Sequence, residues 1–408
     1  DPRDLHSFPT RRSSDLFNQL LGVKFELTSD REEYKNHRGP QINYSSAAIC
    51  EKELMVIPCG LLSEKGLRAF FPEVFWKDEI PLLFPVRSVS DLEFDVFSAV
   101  FYMVSRYEEY LPFKADRHGR FSSDSGVAGQ YGFVEKPVVN YWVEILAAKL
   151  SFKFPGVEFH KPEFSSILTI DIDNAFAIKH KGIIRGMGSM YKSLAAFDFS
   201  DFAYKCMVHF RIIHDPFDTY HFIHKHVKEA HLHIIMFFLV GSRSKFDKNL
   251  NPGNFYFKRL IEKESKMYSV GIHPSYNSNG NHEKLSREVN VLRKIIKRKV
   301  KKARQHYLKL SFPNTYQNLI KEGIEEDYTM GFHDLPGFRA GIANPFYFYD
   351  LSLEMETNLK VVPFQVMDAT LNHYQKLSPE QAIEKINQLI VTVKKVNGTF
   401  VADRKSVV

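Results

Sequence analysis

Two acidic residues and one distant histidine offer the clearest chemistry in this sequence. Asp171 and Asp173 directly follow a short apolar run, 167–170, and His273 follows another apolar run a hundred residues later. At neighbouring strand ends, such side chains can bind a divalent metal ion, while a carboxylate that stays off the metal acts as a base. Neither the aspartate pair nor the histidine is strong evidence alone, because an Asp-x-Asp after a strand often only caps a turn or a helix. Together they predict a metal-dependent site.

Strand and helix patterns alternate around these residues. Apolar runs predict strands at 167–170, 233–240, 269–272, 359–364 and 398–401, and helical spacing predicts helices at 218–230, 254–267, 283–300, 314–322 and from 378 onward. The last helix has the best-marked start, because Ser378, Pro379 and Gln381 form a capping box with proline in the first turn. This repetition predicts a parallel sheet or a barrel, with its chemistry at the carboxyl ends of the strands.

A smaller mixed α/β domain is predicted before this repeat, over residues 17–160. Its elements are a strand at 53–58 and helices at 91–106 and 136–150, and the proline-marked segment 151–165 reads as a linker. A chain of 408 residues with 44% hydrophobic residues is long enough for two cores. The second domain is predicted to span residues 161–401.

Composition excludes several classes of protein. No apolar run is long enough to span a membrane, and three cysteines form neither a disulfide framework nor a metal-binding pair. The net charge of +7 is concentrated in residues 293–304, which we interpret as a solvated helix face because no stacking aromatics mark a nucleic-acid site. Contact of that run with an anionic glycan or a lipid surface stays open. The histidines are interpreted as solvated or core residues at positions 221, 224, 226, 231 and 233.

Both ends of the sequence differ in character from the rest. Residues 1–16 and 402–408 show no apolar period, and one codon choice for 403–408, read on the opposite strand in a shifted frame, encodes residues 11–16. Both ends therefore resemble translated sequencing adapter from a metagenomic assembly, and we set them apart from the fold. The natural protein is then expected to extend past both ends. Its compartment stays open, although cysteine usage favours the cytoplasm.

Residues 17–401 resemble the polysaccharide deacetylase superfamily, also called the NodB-homology or carbohydrate esterase family 4 type, and in particular its Bacteroidetes branch with an extra N-terminal domain. The family's first motif, T-F-D-D-G, appears as Thr169–Asn174. The resemblance implies a distorted (β/α) barrel, truncated at its C-terminus and preceded by a smaller mixed α/β domain. It also implies that Asp171 is the general base and that Asp173 binds a divalent metal ion, for which zinc is the expected choice.

The second and third motifs are altered. H-[S/T]-x-x-H appears as His273–Asn277, so the resemblance implies His273 and Asn277 as ligands, with Ser278 or water as substitutes for a poor amide ligand. R-P-P-Y keeps its ends in Arg304 and Tyr307. Arg304 would then pair with the base carboxylate, and the N–H of Tyr307 would bind the developing oxyanion.

Further implied residues surround this centre. In relatives, the strand that begins like 399–401 continues into a histidine that protonates the leaving amine. This chain lacks that histidine, so the 408-residue chain is expected to be inactive or nearly so. Asp368 is implied as the acid near that histidine, and the implied cleft residues are Tyr276, Ser278, Asp327 and Arg339, with segments 337–341 and 346–350.

The function implied is removal of N-acetyl groups from a sugar or polysaccharide, with a metal-activated water and an aspartate base. The alternative is a glycan-binding pseudoenzyme that keeps the fold, for which Asn277 in a ligand position is the main support. A structural or assembly protein that works through the N-terminal domain and the basic run is a third hypothesis. The sequence leaves the oligomeric state open.

Overall fold

The computed structural model describes residues 14–230 and 232–405, and the side chains of all these except Ser14 and 183–185. Residues 1–13 and 406–408, which fall in the adapter-like ends, and His231 lie outside the described residues. Within the described part, no helix is long and apolar enough to cross a membrane.

The N-terminal part combines short strands with helices. Its elements are α1 (Ser14–Leu21), α2 (Arg31–Asn36), β1 (Ile42–Asn43), β2 (Leu54–Met55), β3 (Val74–Lys77), β4 (Ile80–Leu83), α3 (Val96–Val104), α4 (Val127–Gln130) and α5 (Val138–Lys153). The helix predicted from residue 91 begins only at Val96, because the Asp95 carboxylate accepts the Ser98 N–H and caps it. α1 begins inside the segment 1–16 and buries Leu16 and Phe17.

From residue 165 onward, strands and helices alternate. The elements are β5 (Ser165–Ile172), α6 (Ile183–Ala195), α7 (Phe199–His209), α8 (Tyr220–Ala230), β6 (His233–Phe238), α9 (Phe255–Met267), β7 (Ser269–Ile272), α10 (His282–Ile296), β8 (Lys302–Ala303), α11 (Asn314–Lys321), β9 (Glu326–Asp327), β10 (Phe346–Asp350), β11 (Met355–Val361), β12 (Val366–Met367), α12 (Pro379–Lys395) and β13 (Thr399–Lys405).

Most predicted elements are present, with two differences that matter. The helix predicted over 283–300 ends at Ile296, where Lys297 adopts a left-handed conformation. The basic run 293–304 is therefore not one solvated helix face, since its last residue, Arg304, is fully buried. The capping box of α12 is confirmed, with both reciprocal hydrogen bonds between Ser378 and Gln381.

One large sheet organises this part of the chain, with the strand order β10-β11-β9-β8-β7-β6-β5-β13-β12. All of its strand pairs are parallel except β10–β11. β6 is buried from Ile234 to Phe238, as expected for a parallel strand covered on both faces. The parallel-rich α/β sheet predicted from the sequence is thus confirmed.

The sheet is strongly curved. Val361 ends β11 and Val366 begins β12, so these strands are separated by at most about 17 Å of extended chain. Seven neighbour steps lie between them in the strand order, which in a flat sheet would span about 34 Å. The strand order nevertheless has two ends, β10 and β12. The strand pairing therefore does not show a closed barrel.

The two predicted domains share apolar and ionic contacts. The rings of Phe101 and Tyr349 pack edge to face with centroids 5.1 Å apart, and both residues belong to one hydrophobic cluster. Glu109 is buried between two arginines: it accepts from Arg106 Nε at 2.8 Å and from Arg339 Nε at 2.9 Å. Arg339, expected to line the substrate cleft, is therefore an interior residue that links the two parts of the chain.

Replacing Glu109 by Gln should strongly destabilise the fold. The substitution keeps the shape but removes the carboxylate that faces the buried Arg339 and one of the two that face the buried Arg106, so we expect the free energy of unfolding to fall by about 3–5 kcal/mol. Urea denaturation followed by circular dichroism measures this change. The matched control is Glu135→Gln, which breaks a partly exposed ion pair with Lys385 and should cost less than about 1 kcal/mol. Equal effects of the two substitutions would contradict the structural role of Glu109.

Candidate metal centre

The strand register brings the candidate site residues to one edge of the sheet. Ile172, Phe238, Ile272 and Ala303 are successive register partners across β5, β6, β7 and β8. The residues that directly follow these four register partners therefore lie next to one another at the carboxyl edge of the sheet. For β5, β7 and β8 these next residues are Asp173, His273 and Arg304, so positions up to 131 residues apart converge.

Three side chains form a group that could hold a metal ion. Asp173, His273 and His306 each offer one ligand atom, and these atoms lie within 4.8 Å of one another. Asp173 Oδ1 is 3.1 Å from His273 Nε2 and 3.6 Å from His306 Nε2. Two ligands about 2.1 Å from a tetrahedral zinc ion lie about 3.4 Å apart, so these separations fit a shared cation.

His273 is oriented by the backbone of a neighbouring strand. Its Nδ1 lies 2.6 Å from the carbonyl oxygen of Arg304. A carbonyl can only accept, so Nδ1 carries a proton, and Nε2 is the ring nitrogen that faces Asp173. The Arg304 N–H in turn donates to the Ile272 carbonyl at 3.0 Å. The β7–β8 pairing therefore fixes both the tautomer and the direction of this imidazole.

His306 is oriented by a carboxylate. Its Nδ1 is 2.9 Å from Asp247 Oδ1, and Asp247 is fully buried in the loop after β6. The same oxygen accepts the Tyr276 N–H at 2.9 Å. This carboxylate–histidine pair leaves Nε2 directed at Asp173, which is the arrangement by which proteins orient metal-binding histidines.

Charge interactions perturb this group. Burial would lower the pKa of His306, but Asp173 and the hydrogen bond with Asp247 raise it to about 9. Burial would raise the pKa of Asp173, but Lys405 and His306 hold it well below its usual range. In the absence of a cation, His306 is thus held as an imidazolium. A metal ion must displace that proton, so metal binding at this group releases protons.

Unsatisfied buried atoms give a second indication of a ligand. Asp171 Oδ1, Asp173 Oδ1 and His273 Nε2 are buried and make no hydrogen bond to the described residues. Buried polar atoms normally have partners, and three such atoms in one place fit a missing cation and its water. The residues present therefore fit a divalent metal ion.

Asp171 lies beside this group and faces an arginine. Its Oδ2 is 3.5 Å from Arg304 Nε and 3.7 Å from His273 Nε2. Arg304 also donates to Thr169 Oγ1 at 2.7 Å, and its guanidinium lies 4.4 Å from the centre of the Phe364 ring. This buried guanidinium holds the Asp171 carboxylate at the edge of the group rather than within it.

Two residues of β13 also reach the centre. Asp403 Oδ1 lies 3.3 Å from Arg304 Nη1, and Lys405 Nζ lies 3.5 Å from Asp173 Oδ2. Both belong to the segment 402–408 that the sequence sets apart as adapter-like. Asp368, which follows β12, accepts the Lys405 N–H at 3.0 Å, and burial raises its pKa to about 6.

Asn277, the second expected ligand of this motif, and its substitute Ser278 are placed differently from His273. Asn277 is exposed on a 3₁₀ turn, Tyr276–Ser278. The buried Ser278 hydroxyl donates to the Ser275 carbonyl at 2.7 Å. The physical reason is that Ser275 is bonded through its N–H to Glu288 of α10, which turns the chain away from the centre. His306 takes the position that the sequence assigned to Asn277.

Asp327 does not line a cleft. It is fully buried at the end of β9, where it accepts the Thr329 N–H at 2.9 Å and the Tyr316 hydroxyl at 3.0 Å. Burial raises its pKa to about 6. Thr329 Oγ1 in turn accepts the Gln305 N–H at 3.0 Å, so Asp327 supports the segment that carries His306. Asp327, an expected cleft residue, thus lies in the interior in this structure.

An aromatic cluster lies next to the centre, and the N-terminal part contributes to it. The rings of His118, Phe246, Tyr276 and Tyr307 all lie within 5.7 Å of one another, centre to centre. The Tyr307 ring is 4.7 Å from that of His306. Tyr276, an expected cleft residue, is partly exposed in this cluster.

Arg120, also from the N-terminal part, contacts the third motif. Its Nη1 donates to the Tyr307 carbonyl at 3.1 Å, and its Nε and Nη2 donate to Asp116 Oδ2 at 2.9 and 2.7 Å. Tyr307 has a left-handed backbone with φ 60°, which costs energy for a residue with a side chain. The contact with Arg120 thus supports a strained peptide next to His306.

Sequence reasoning missed His306, Asp247, His118 and Arg120. His306 had a signal, since it lies inside the motif segment 304–307, but the motif pattern directed attention to its ends. Asp247, His118 and Arg120 lie in loops without a motif. The other histidine-rich segment holds no such centre among its described residues; there His224 Nε2 is bonded to the buried Glu264 at 2.8 Å.

Comparison with known proteins gives a family without a known function and a distant structural similarity. The model of a family of unknown function (DUF7033) matches residues 13–155. No curated protein matches the chain. Among solved structures, the chain is similar to a protein of Mycobacterium smegmatis provisionally assigned as a polysaccharide deacetylase, with 11% identity and a TM-score of 0.38 over 60% of this chain and 77% of that chain. A similarity of this size carries no functional argument.

Removing the carboxylate behind His306 should weaken metal binding. Asp247→Asn replaces the charged acceptor that fixes the imidazole by a neutral amide, so we expect the zinc dissociation constant to rise about 10- to 100-fold. Competition with a chromogenic chelator measures this constant, and circular dichroism checks that the variant is folded.

Two further variants calibrate this measurement. His306→Ala removes a proposed ligand and should weaken zinc binding more than Asp247→Asn does, whereas Asn277→Ala changes an exposed side chain and should bind zinc as the unchanged protein does. Weaker binding in Asn277→Ala together with unchanged binding in His306→Ala would restore the ligand set expected from the sequence.

Proposed function

We propose that this protein is a metal-dependent hydrolase that removes N-acetyl groups from a sugar or polysaccharide. The single observation that supports this function best is the group Asp173, His273 and His306, with the carboxylate of Asp171 directly beside it. The motif resemblance of residues 169–174 and 304–307 to polysaccharide deacetylases agrees with this chemistry. We further propose that the curved sheet is the incomplete barrel of that superfamily.

Asp173, His273 and His306 would hold the metal ion. A bound divalent cation, with zinc as the expected choice, lowers the pKa of a coordinated water and polarises a carbonyl oxygen. Two neutral imidazoles and one carboxylate form a donor set that zinc accepts while keeping positions open for water and substrate. Asp247 and the Arg304 carbonyl contribute by orienting the two imidazoles.

Asp171 is the proposed base. Its Oδ2 faces Arg304, while its Oδ1 is buried without a hydrogen-bond partner among the described residues. A carboxylate that is held off the metal keeps the basicity to take a proton from an attacking water. Arg304 faces this carboxylate and fixes its direction. The roles of Asp171 and Asp173 therefore differ because their partners differ.

The segment 304–307 and the aromatic cluster would bind the substrate. The N–H of Tyr307 is the proposed donor to the developing oxyanion, and Arg120 fixes the Tyr307 peptide through its carbonyl. The faces of sugar rings pack on aromatic side chains, and Tyr276 and Tyr307 are partly exposed next to His306. The N-terminal part would thus take part in the site through His118 and Arg120.

The pseudoenzyme hypothesis loses its main support. It rested on Asn277 in place of a second ligand histidine, and His306 offers a third candidate ligand atom beside Asp173 and His273. The unpaired oxygen of Asp171 next to this group also fits catalysis better than binding alone. No specific observation favours the structural or assembly role.

An activated ester tests the base and the metal ligands in the 408-residue chain. Nitrophenolate leaves without a proton, so hydrolysis of 4-nitrophenyl acetate needs no acid histidine, in contrast to an amide. We expect zinc-dependent hydrolysis that falls at least about 100-fold in Asp171→Asn and in His306→Ala. Acetate release from N-acetylglucosamine oligomers should be far slower in the same preparation.

The same assay defines the contrary result. Metal-independent hydrolysis, or equal rates in Asp171→Asn and in the unchanged chain, would reject the proposed base. Phe152→Ser, a substitution of an exposed ring on α5, is the control for nonspecific surface hydrolysis and should leave the rate unchanged.

Replacing Arg120 by Met should separate positioning from metal binding. The loss of the hydrogen bond to the Tyr307 carbonyl lets a strained peptide relax, so kcat for 4-nitrophenyl acetate should fall about 10- to 100-fold. The zinc dissociation constant should stay unchanged, because Arg120 contacts none of the three ligands. Steady-state kinetics and the chelator assay measure both quantities. A weaker zinc affinity with an unchanged kcat would contradict a positioning role.

A further inference from the structure

A helical hairpin, residues 183–212, projects its apolar side chains into solvent. It consists of α6, α7 and the turn after each helix. Among its described side chains from 186 to 212, those of Ser193 and Val208 are buried. Six large apolar residues are at least 65% exposed, namely Met187 at 66%, Tyr191 at 71%, Phe197 at 80%, Phe199 at 65%, Phe210 at 73% and Ile212 at 70%.

The contact between the two helices is polar. Lys205 Nζ lies 2.8 Å from Ser193 Oγ and 2.5 Å from Asp201 Oδ2, and the Ser193 hydroxyl also donates to Asp201. Met187, Tyr191 and Leu194 follow one another at helical spacing on the exposed side of α6. A polar group thus joins the two helices, while several large apolar side chains face solvent.

This arrangement is unfavourable in water. The four exposed aromatic rings alone present roughly 600 Å² of surface, which is as much as the largest apolar patch of a typical monomeric protein. The helices have 13 and 11 residues, which is too short to span a bilayer. Helices of this kind instead lie in the plane of a membrane surface, with apolar residues between the acyl chains.

The charge of the segment favours an anionic lipid surface. Residues 179–214 contain six Lys or Arg against two Asp. Both Asp are engaged within the hairpin: Asp198 caps α7 by accepting the Asp201 N–H, and Asp201 pairs with Lys205. Lys192 and Arg211 are exposed beside the apolar residues. Basic residues next to exposed aromatics are attracted to anionic headgroups.

The base of the hairpin is fixed next to the metal centre. The buried Asp215 carboxylate accepts the N–H groups of Ala177, Ile178 and Lys179, each at 2.8 Å. These residues follow Asp173 by only a few positions, so the hairpin begins and ends at the same edge of the sheet as the candidate centre.

We propose that the hairpin 183–212 docks the protein onto an anionic phospholipid bilayer. Phe197, Phe199, Phe210, Ile212, Tyr191 and Met187 enter the interface, while Lys192 and Arg211 contact the headgroups. Docking holds the carboxyl edge of the sheet close to the membrane surface. The docking proposal is independent of the proposed function, but the idea that this edge meets an acetylated sugar at the membrane rests on it.

Vesicle sedimentation with the 408-residue chain tests the proposal. We expect the protein to sediment with phosphatidylglycerol–phosphatidylcholine vesicles and at least 10-fold more weakly with phosphatidylcholine alone. The triple variant Tyr191→Ser, Phe197→Ser, Phe210→Ser should lose at least 10-fold in affinity for the anionic vesicles. Lys192→Glu with Arg211→Glu should remove the preference for anionic vesicles. Phe152→Ser, which removes an exposed ring from α5, should bind as the unchanged protein does.

The outcomes separate docking from other occupants and from hydrolysis. No sedimentation with either vesicle, or equal binding by the triple variant and the unchanged protein, would overturn the proposal. So would a dimer in analytical ultracentrifugation that the triple variant turns into monomers without vesicle binding, since a second copy would then cover the hairpin. His306→Ala should still bind vesicles. Vesicle binding therefore tests docking even if the proposed hydrolysis is not observed.

Discussion

The hydrogen bond between His273 Nδ1 and the Arg304 carbonyl connects most of what is chemically distinctive in this protein. It joins the ends of β7 and β8, fixes the imidazole tautomer, and comes from the residue whose guanidinium faces Asp171. One backbone position thereby orients a ligand while its side chain orients the proposed base. The parallel register of β5 to β8 makes this possible, because it places residues 173, 273 and 304 at one level.

The N-terminal part is more than an appendage to this sheet. It shares a hydrophobic cluster with the strands, inserts Glu109 between Arg106 and Arg339, and places His118 and Arg120 against Tyr307. A family model of unknown function covers residues 13–155. The structure gives that range a physical role in this chain, because it supports a strained peptide beside the candidate centre.

The strands and their carboxyl ends could be predicted from the sequence because apolar runs of four to eight residues ended at polar side chains. The proximity of Asp173 and His273 followed from that pattern. The third ligand could not be predicted in the same way, since a motif offset pointed to Asn277 while the bond from Ser275 to Glu288 turns that loop outward. Asp247 carries no local signal, because its importance arises only when the loop after β6 folds over His306. The hairpin of α6 and α7 was missed because Gly186 and Gly188 weaken the helical pattern.

The carboxylate of Asp215 has a consequence for how such a chain can change over time. The Asp215 carboxylate accepts hydrogen bonds from three consecutive backbone amides, and these bonds hold together the two ends of the segment that contains α6 and α7. Insertions, deletions or exchange of sequence within α6 and α7 would therefore leave the strand end at Asp173 undisturbed. We therefore expect the length and sequence of this segment to be able to change while Asp215 continues to fix the chain after Asp173.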